Sequence, residues 1–189
     1  MSKIKFEKVS YEQFKKDVLK MLKEDGNVDL NVFDASEDNI KDIYNNINLP
    51  KRATDGSAGY DFFSPFEIYI QKSLKFVSEY AQTMKFPTGI RVKMPKNVVL
   101  LLFPRSSLGF KYRLQLDNTI GVIDSDYYYS DNEGHMWCKL TKGVEDKELK
   151  LNDGEAYMQG IFMNYLLTDD DSEDDKKVRN GGFGSTNEK

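Results

Sequence analysis

The sequence predicts a mainly β, jelly-roll-like domain that carries two added helices. From Leu49 onward, short runs of branched and aromatic residues recur between Gly, Asn, Asp and Pro, as strands recur between turns. Aromatic residues make up 13% of the chain, which suits the surfaces of sheets. The 189 residues, 39% of them hydrophobic, favour one domain with a substantial core.

The N-terminal segment changes from strand to helix periodicity. KIKFEKV alternates apolar and charged residues, which predicts a short strand. In SYEQFKKDVLKMLKEDG the apolar residues share one helical face, with Ser10 as the expected N-cap and Gly26 as the expected stop. A second helix is expected from Ser36, its cap, to about Asn46. The two helices form an insertion of about residues 10–47.

The remaining body is expected to be built from strands. The strand-like runs are VKMPKNVVLLLFP, GVIDSDYYY, HMWCKLT and EAYMQGIFMNYLL. Short strands at this spacing are typical of a barrel or jelly roll. In the second run, Asp124 and Asp126 are two residues apart, so we expect both on the same side of a strand.

The C-terminal segment changes composition sharply. Residues 169–175 hold six acids in seven positions, and such a stretch repels itself and cannot bury a core. We therefore expect a single body domain at 1–168, an acidic linker at 169–178 and a flexible, glycine-rich arm at 179–189.

Charge and cysteine content exclude several classes of function. The net charge of −4 gives no electrostatic support for coating nucleic acid. Cys138 is the single cysteine, so no intrachain disulfide forms, and His135 is the single histidine, expected at the surface, so no zinc ligand set exists. The N-terminus lacks an apolar signal core and no run reaches membrane-spanning length, so we expect a cytoplasmic protein without membrane contact.

Five short stretches carry side chains that suit a nucleoside triphosphate. In order, they are AGYD, PRSSLG, NTIGVIDSDY, GEAYMQ and GGFGST. Arginine, hydroxyls and backbone amides bind phosphate oxygens, and an aromatic ring stacks on a flat base. Singly, each stretch also has an ordinary structural interpretation: a turn acid, a helix start, a hairpin, a core strand with one polar residue, and a disordered tail.

As an ordered set, from about Leu49 to Thr186, these stretches resemble the five motifs of the trimeric dUTPases. The resemblance implies a jelly-roll-like (β-clip) homotrimer whose active sites are shared between subunits. It also implies Mg²⁺-dependent hydrolysis of dUTP to dUMP and pyrophosphate by in-line attack of water on the α-phosphate.

The resemblance implies a role for each matching residue. Asp124 would be the general base, Tyr127 would pack on the deoxyribose and exclude a 2′-OH, and Asp61 would lie near the metal through water. The residues implied to bind substrate are Asn118, Gly121 and Ile123 for uracil, Arg105, Ser106, Ser107 and Gln159 for phosphate, and Arg179, Phe183, Gly184, Ser185 and Thr186 in the arm. Phe183 would cover uracil, while Arg179 would approach the γ-phosphate.

The sequence departs from the family pattern in four places. Ser107 stands where the second motif usually has glycine, and YYSDNE lengthens the third-motif hairpin before Gly134. The fifth motif is one residue short, so Lys176 or Lys177 would supply part of the charge expected from Arg179. The helical insertion is the fourth departure.

Two alternatives remain open from the sequence. One is a dCTP deaminase-like enzyme of the same fold, which would need a glutamate base. The other is a regulatory role, because phage members of this family bind repressors and the helical insertion offers an extra surface.

Overall fold

Short antiparallel strands dominate the computed structural model, which describes residues 3–24, 33–70, 83–143 and 147–171. The strands are β1 Lys5–Lys8, β2 Lys51–Arg52, β3 Tyr60–Phe63, β4 Ile68–Ile70, β5 Thr83–Pro87, β6 Ile90–Lys93, β7 Val98–Pro104, β8 Leu114–Leu116, β9 Gly121–Ile123, β10 Trp137–Lys142, β11 Leu149–Leu151 and β12 Ala156–Asn164. The helices are α1 Tyr11–Glu24, α2 Glu37–Asn46, α3 Ser106–Tyr112 and a 3₁₀ helix at Ser125–Tyr129. The expected mainly β fold with two N-terminal helices is confirmed.

The largest sheet has five strands in the order β2-β3-β12-β7-β9. A three-stranded sheet, β5-β10-β8, and two pairs, β1-β6 and β11-β4, complete the described strands. Along β7 the side chains alternate, because Val98, Leu100 and Leu102 are buried while Val99 and Leu101 are only half-buried. The large sheet therefore turns one face to the core and leaves the other partly open.

Both helices begin where capping serines were expected. The Ser10 hydroxyl accepts a hydrogen bond from the backbone N–H of Gln13 at 3.2 Å, and Ser36 accepts one from the N–H of Asn39 at 3.3 Å. Gly26, the expected stop of α1, lies outside the described residues.

α1 packs its apolar stripe into the core but also buries two polar residues. Phe14, Val18 and Met21 are at most 1% exposed. Asp17 and Gln13 lie on the same side of the helix and are only 5% and 8% exposed. A buried carboxylate needs hydrogen-bond partners, so α1 has a polar contact to make within the fold.

Two local expectations are wrong. The segment after Ile123 leaves the strand, because Ser125–Tyr129 form a 3₁₀ helix that begins after Asp124. Asp124 therefore precedes this helix and Asp126 lies within it, so they do not share one side of a strand. His135 is not at the surface but fully buried, 0% exposed.

The C-terminal part is described only up to residue 171. Residues 169–171 fall within the expected acidic linker, whereas its remainder and the arm at 179–189 lie outside the described residues. The division into body, linker and arm stays a prediction. Within the described ranges, no helix has both the length and the apolar character needed to cross a membrane.

Candidate active site

Three of the expected site residues meet on the half-open face of the large sheet. Asp61 on β3 lies directly opposite Gln159 on β12, which in turn lies opposite Phe103 on β7. Residues directly opposite each other point to the same face of a sheet. Arg105 follows Phe103 by two positions, and its Nε lies 3.5 Å from Asp61 Oδ1. We call Asp61, Arg105 and Gln159 the Asp61 cluster.

Gly59 allows the Gln159 side chain to lie against the AGYD turn. A Cβ on Gly59 would approach Gln159 Oε1 to 2.6 Å, closer than carbon and oxygen tolerate. The glycine of the first motif therefore keeps the Gln159 amide beside Asp61.

The two serines of the second motif begin α3 beside Arg105. Ser106 and Ser107 are exposed in the first turn of this helix. Ser107 is not among the described non-glycine residues with a positive φ, which are Arg113, Thr119 and Glu133. Replacing the usual glycine by Ser107 therefore causes no backbone strain, and its hydroxyl adds a donor near Arg105.

The expected uracil-reading residues lie in the loop between β8 and β9 and on β9 itself, two strands that belong to different sheets. Asn118 is exposed in its loop, where its backbone carbonyl accepts the N–H of Ile120 at 2.7 Å. Close packing against β7 explains the glycine at position 121, because a Cβ there would lie 3.0 Å from the Leu102 Cβ. A larger residue at position 121 would push β9 away from the sheet.

Asp124 lies far from the Asp61 cluster within one chain. Because Ile123 pairs with Leu100 in antiparallel register, Asp124 continues β9 toward the level of Val99. Arg105 lies six positions beyond Val99, which is about 20 Å along an extended strand. A single chain therefore brings Asp61, Arg105 and Gln159 together but does not bring Asp124 to them.

Tyr127 is held inside the segment that follows Asp124. It is 5% exposed, and its hydroxyl donates to the backbone carbonyl of His135 at 2.8 Å. The Asn132 amide donates to the Tyr127 hydroxyl at 2.9 Å, and the Tyr127 N–H reaches the Asp124 carbonyl at 3.3 Å. We call residues 124–134 the third-motif hairpin.

Asp17 and His135 form a buried pair that sequence reasoning missed. Asp17 Oδ2 lies 2.6 Å from His135 Nδ1 and accepts the Gln13 amide at 2.7 Å. Burial acts to raise the pKa of the Asp17 carboxyl, but the hydrogen bonds from His135 and Gln13 lower that pKa below its usual value. The available signal was an aspartate in the apolar stripe of α1, between Phe14 and Val18.

A metal ion would find few protein ligands in the described part of the chain. No group of three or more His, Cys, Asp or Glu side chains there is placed to hold a metal. The Asp61 carboxylate is the acidic group of the cluster, and the Arg105 guanidinium stands beside it. This donor set fits a hard cation that takes most of its oxygen ligands from phosphates and water, as Mg²⁺ does.

The expected arm residues cannot be placed. Arg179, Phe183, Gly184, Ser185 and Thr186 all lie outside the described residues, as do Lys176 and Lys177.

Comparisons with known proteins point to one family. The family model of the dUTPases matches residues 45–187. A deoxyuridine 5′-triphosphate nucleotidohydrolase of Lactococcus lactis subsp. lactis is 40% identical over 148 residues, which cover 74% of this chain and 88% of that protein.

Solved structures give the same picture. The crystal structure of the dUTPase from Streptococcus mutans matches with a TM-score of 0.54 and 39% identity, covering 66% of this chain and 90% of that one. A mutant dUTPase from phage phi11 of S. aureus, 17% identical, matches with a TM-score of 0.53 over 69% of this chain and 92% of that chain, a likeness that shows the fold alone. The family match begins at residue 45, so α1 and nearly all of α2 precede it.

Proposed function

This chain belongs to the dUTPase family and is a dUTP diphosphatase, and from that premise we propose how its residues turn dUTP into dUMP and pyrophosphate. The observation that carries the proposal is the meeting of Asp61, Arg105 and Gln159 on one sheet face. An arginine fork, an amide and the hydroxyls of Ser106 and Ser107 are donors matched to phosphate oxygens. The Asp61 cluster therefore binds the triphosphate.

Asp124 is the general base of this mechanism. Its carboxylate takes a proton from a water molecule, and the water oxygen attacks the α-phosphorus in line as the bond to the pyrophosphate leaving group breaks. Because this reaction needs little covalent chemistry from the protein, positioning and charge neutralisation supply most of the catalysis.

The loop between β8 and β9, together with β9, selects the base. Asn118 offers both an amide donor and a carbonyl acceptor to the edge of uracil, and the backbone at Gly121 and Ile123 completes that edge. The strand β9, held close to β7, leaves no room for the 5-methyl group of thymine.

Tyr127 selects the sugar by packing against the deoxyribose. Its hydroxyl is bonded inside the third-motif hairpin, so the ring cannot move aside for a 2′-OH. Steric exclusion of this kind discriminates well when the surrounding structure does not relax.

Mg²⁺ would be held near Asp61 through water, with the phosphates supplying other ligands, and would neutralise phosphate charge. Arg105 lies 3.5 Å from Asp61 and holds its carboxylate beside the donors proposed to bind the phosphates. The role of Asp61 is therefore to position the hydrated cation rather than to enclose it.

The proposed site has two halves, the Asp61 cluster and the third-motif hairpin with Asp124, and a homotrimer would bring them together. Within one chain Asp124 and Arg105 are separated by about 20 Å of β7, so a base from one copy serves phosphates gripped by another. The face between them is apolar: Leu101 pairs with Val122, and Val99 pairs with Met163. Val122 and Met163 are 57% and 50% exposed in the single chain, which supports burial of this face against a second copy.

The arm completes the proposed site as a lid from a neighbouring subunit. Phe183 would stack over uracil, and Arg179 with Gly184, Ser185 and Thr186 would line the phosphates. We expect the tail to be protease-sensitive without nucleotide and protected by a dUTP analogue with Mg²⁺. Equal cleavage in both states would contradict the lid.

The helical insertion as a surface for a regulatory protein stays a prediction. Along the described helical positions Tyr11–Lys23 and Glu37–Asn46 no large apolar side chain is exposed, and the outer positions are mainly charged or polar. We propose that α1 also has an internal packing role, because its apolar stripe is buried.

The proposed function is tested by measuring pyrophosphate release from dUTP, dCTP, dTTP and UTP, with and without Mg²⁺. Hydrolysis confined to dUTP and dependent on Mg²⁺ is expected. Equal hydrolysis of UTP or dTTP would contradict the assignments of Tyr127 and β9, and no hydrolysis by a folded trimer would contradict the proposed chemistry.

A further inference from the structure

The helical insertion and the longer third-motif hairpin touch each other, although both depart from the family pattern. We propose that α1 is a positioning element of the active site: its buried Asp17, paired with His135, fixes Tyr127 and thereby sets the preference for dUTP over UTP. The inference rests on the proposed role of Tyr127 as the surface that packs on the sugar.

The first support is the geometry around the His135 ring. Its Nε2 accepts the backbone N–H of Gly89 at 2.7 Å, so the ring proton resides on Nδ1. Nδ1 then donates to Asp17 Oδ2 at 2.6 Å. The ring is therefore held between Asp17 on α1 and Gly89 in the turn before β6. Gln13 donates to the same Asp17 oxygen and so fixes the carboxylate in place.

The second support is that the same histidine residue holds Tyr127. The His135 carbonyl accepts the Tyr127 hydroxyl at 2.8 Å and the Asn132 amide at 3.2 Å. If the His135 ring leaves Asp17 it also loses the Gly89 bond, so the residue whose carbonyl accepts the Tyr127 hydroxyl is less firmly fixed. A change at Asp17 thus reaches the sugar-facing tyrosine through two hydrogen bonds.

A second contact ties the start of α1 to the same hairpin. The backbone N–H and the hydroxyl of Ser10 donate to the Glu133 carboxylate at 2.8 and 2.5 Å. Burial acts to raise the pKa of Glu133, but the bonds from Ser10 lower it below its usual value. The N-cap of α1 is therefore also an anchor for the hairpin.

A third contact comes from the first strand. The Tyr128 hydroxyl donates to Glu7 at 2.7 Å, and the Arg91 guanidinium lies 4.6 Å from the Tyr128 ring centroid and 3.4 Å from Glu7. Tyr128 and Glu133 belong to the YYSDNE stretch that lengthens the hairpin. The residues added to the hairpin are thus among those that the N-terminal segment binds, so the two departures form one structural unit.

The test compares sugar selectivity in matched variants of the full chain. Asp17→Asn removes the charge that orients His135, and Asp42→Asn makes the same chemical change at an exposed position on α2. kcat/KM is measured for dUTP and for UTP in each. For Asp17→Asn we expect the dUTP/UTP ratio to fall about three- to tenfold, the worth of one weakened hydrogen bond, with no change for Asp42→Asn.

Selectivity separates positioning from general stability. A variant that is merely less stable loses activity toward both nucleotides equally, so an unchanged dUTP/UTP ratio in a folded Asp17→Asn protein would overturn the proposal. Tyr127→Phe, which removes the hydroxyl held by His135, should lower the same ratio, and the double variant should be no worse than the more affected single one.

Amide hydrogen exchange across residues 124–134 provides a readout without catalysis. Faster exchange there in Asp17→Asn than in the wild type or in Asp42→Asn supports the link between α1 and the hairpin, and equal exchange overturns it. A wild-type protein without dUTP hydrolysis but with this exchange response would refute the proposed function alone. If Asp17→Asn does not fold, Glu133→Gln tests the neighbouring anchor in both assays.

Discussion

The two halves of the site differ in how the chain holds them. The Asp61 cluster is defined by strand register, and its ion pair spans 3.5 Å between side chains that are 40% and 17% exposed. The third-motif hairpin is fixed by direct hydrogen bonds with the N-cap of α1 and with β1, and Tyr127 is buried at its centre. One half is open and adaptable, whereas the other is rigid.

This difference matches the tasks assigned to the two halves. Phosphates and a hydrated cation are strongly charged, so they organise flexible donors as they bind. Discrimination against one hydroxyl group requires a surface that does not yield. The tightly bound hairpin is therefore where selectivity is expected, and the Asp61 cluster is where binding strength is expected.

The largest effect should come from Asp124→Asn, which removes the proposed base but keeps the shape of the side chain. We expect kcat for dUTP to fall about 10²- to 10⁴-fold, the usual contribution of a general base. The melting temperature should stay within the error of the wild-type value. A variant that retains more than about half of the wild-type kcat would exclude Asp124 as the base.

Arg105→Ala tests the open half of the site. We expect kcat/KM to fall about 10- to 100-fold, because a charge-assisted bond to phosphate is lost. Stability should change little, since half-exposed ion pairs contribute little to folding. The kcat/KM of Arg105→Lys should lie between those of the wild type and Arg105→Ala, because lysine keeps the charge but loses the planar fork. A loss of stability in Arg105→Ala that is larger than its loss of activity, both expressed as free energies, would contradict an adaptable cluster.

Gly134→Ala tests the rigid half. Gly134 has a φ of +72°, and a Cβ there would lie 2.8 Å from the Tyr127 carbonyl oxygen and 2.7 Å from the Tyr128 Cα. We expect unfolding free energy to drop by about 2 kcal/mol, with loss of sugar selectivity. Gly56→Ala is the matched control, because a Cβ at Gly56 meets nothing within 4 Å. Equal denaturant midpoints for the two variants would show that the hairpin accommodates the added Cβ and would contradict its rigidity.

The smallest effect should appear at acid pH. The pKa of Asp17 is lowered in the fold, so its contribution to stability is complete above the carboxyl's unfolded pKa and is lost as pH falls through the folded pKa. Urea unfolding at pH 6 and at about pH 3.5, below the ordinary Asp value, should show a drop that is smaller in Asp17→Asn. An identical drop in both proteins would contradict the charged state of this pair.

The sequence predicted the fold and the two capped helices because periodicity and capping are local properties. Ser10 and Ser36 cap helices as expected. Periodicity alone could not predict that Asp61, Arg105 and Gln159 would meet, because their contact depends on the register of three strands distant in sequence; only the resemblance to the dUTPase motifs placed them in one site. That register emerges only when the whole sheet forms.

The errors share a cause in long-range contacts. His135 was expected at the surface because a single histidine carries no local sign of burial. In the fold it is buried against Asp17, a residue 118 positions away that satisfies its ring N–H. The segment after Ile123 was expected to be a strand from its tyrosines. Instead the Tyr127 hydroxyl accepts a hydrogen bond from the Asn132 amide and donates one to the His135 carbonyl, which stabilises the fold of the hairpin around Tyr127. The arm residues stay predictions, since they lie outside the described structure.

We propose that one chain carries two separated halves of an active site that different copies join. The most direct test mixes Asp124→Asn with Arg105→Ala, each strongly impaired alone, and lets them reassemble together from denaturant. Random mixed trimers should regain about a quarter of wild-type activity, because a site is intact when its base and its arginine come from the appropriate copies. Activity no greater than the sum of the two separate variants would show that each site lies within one chain and would contradict a site shared between copies.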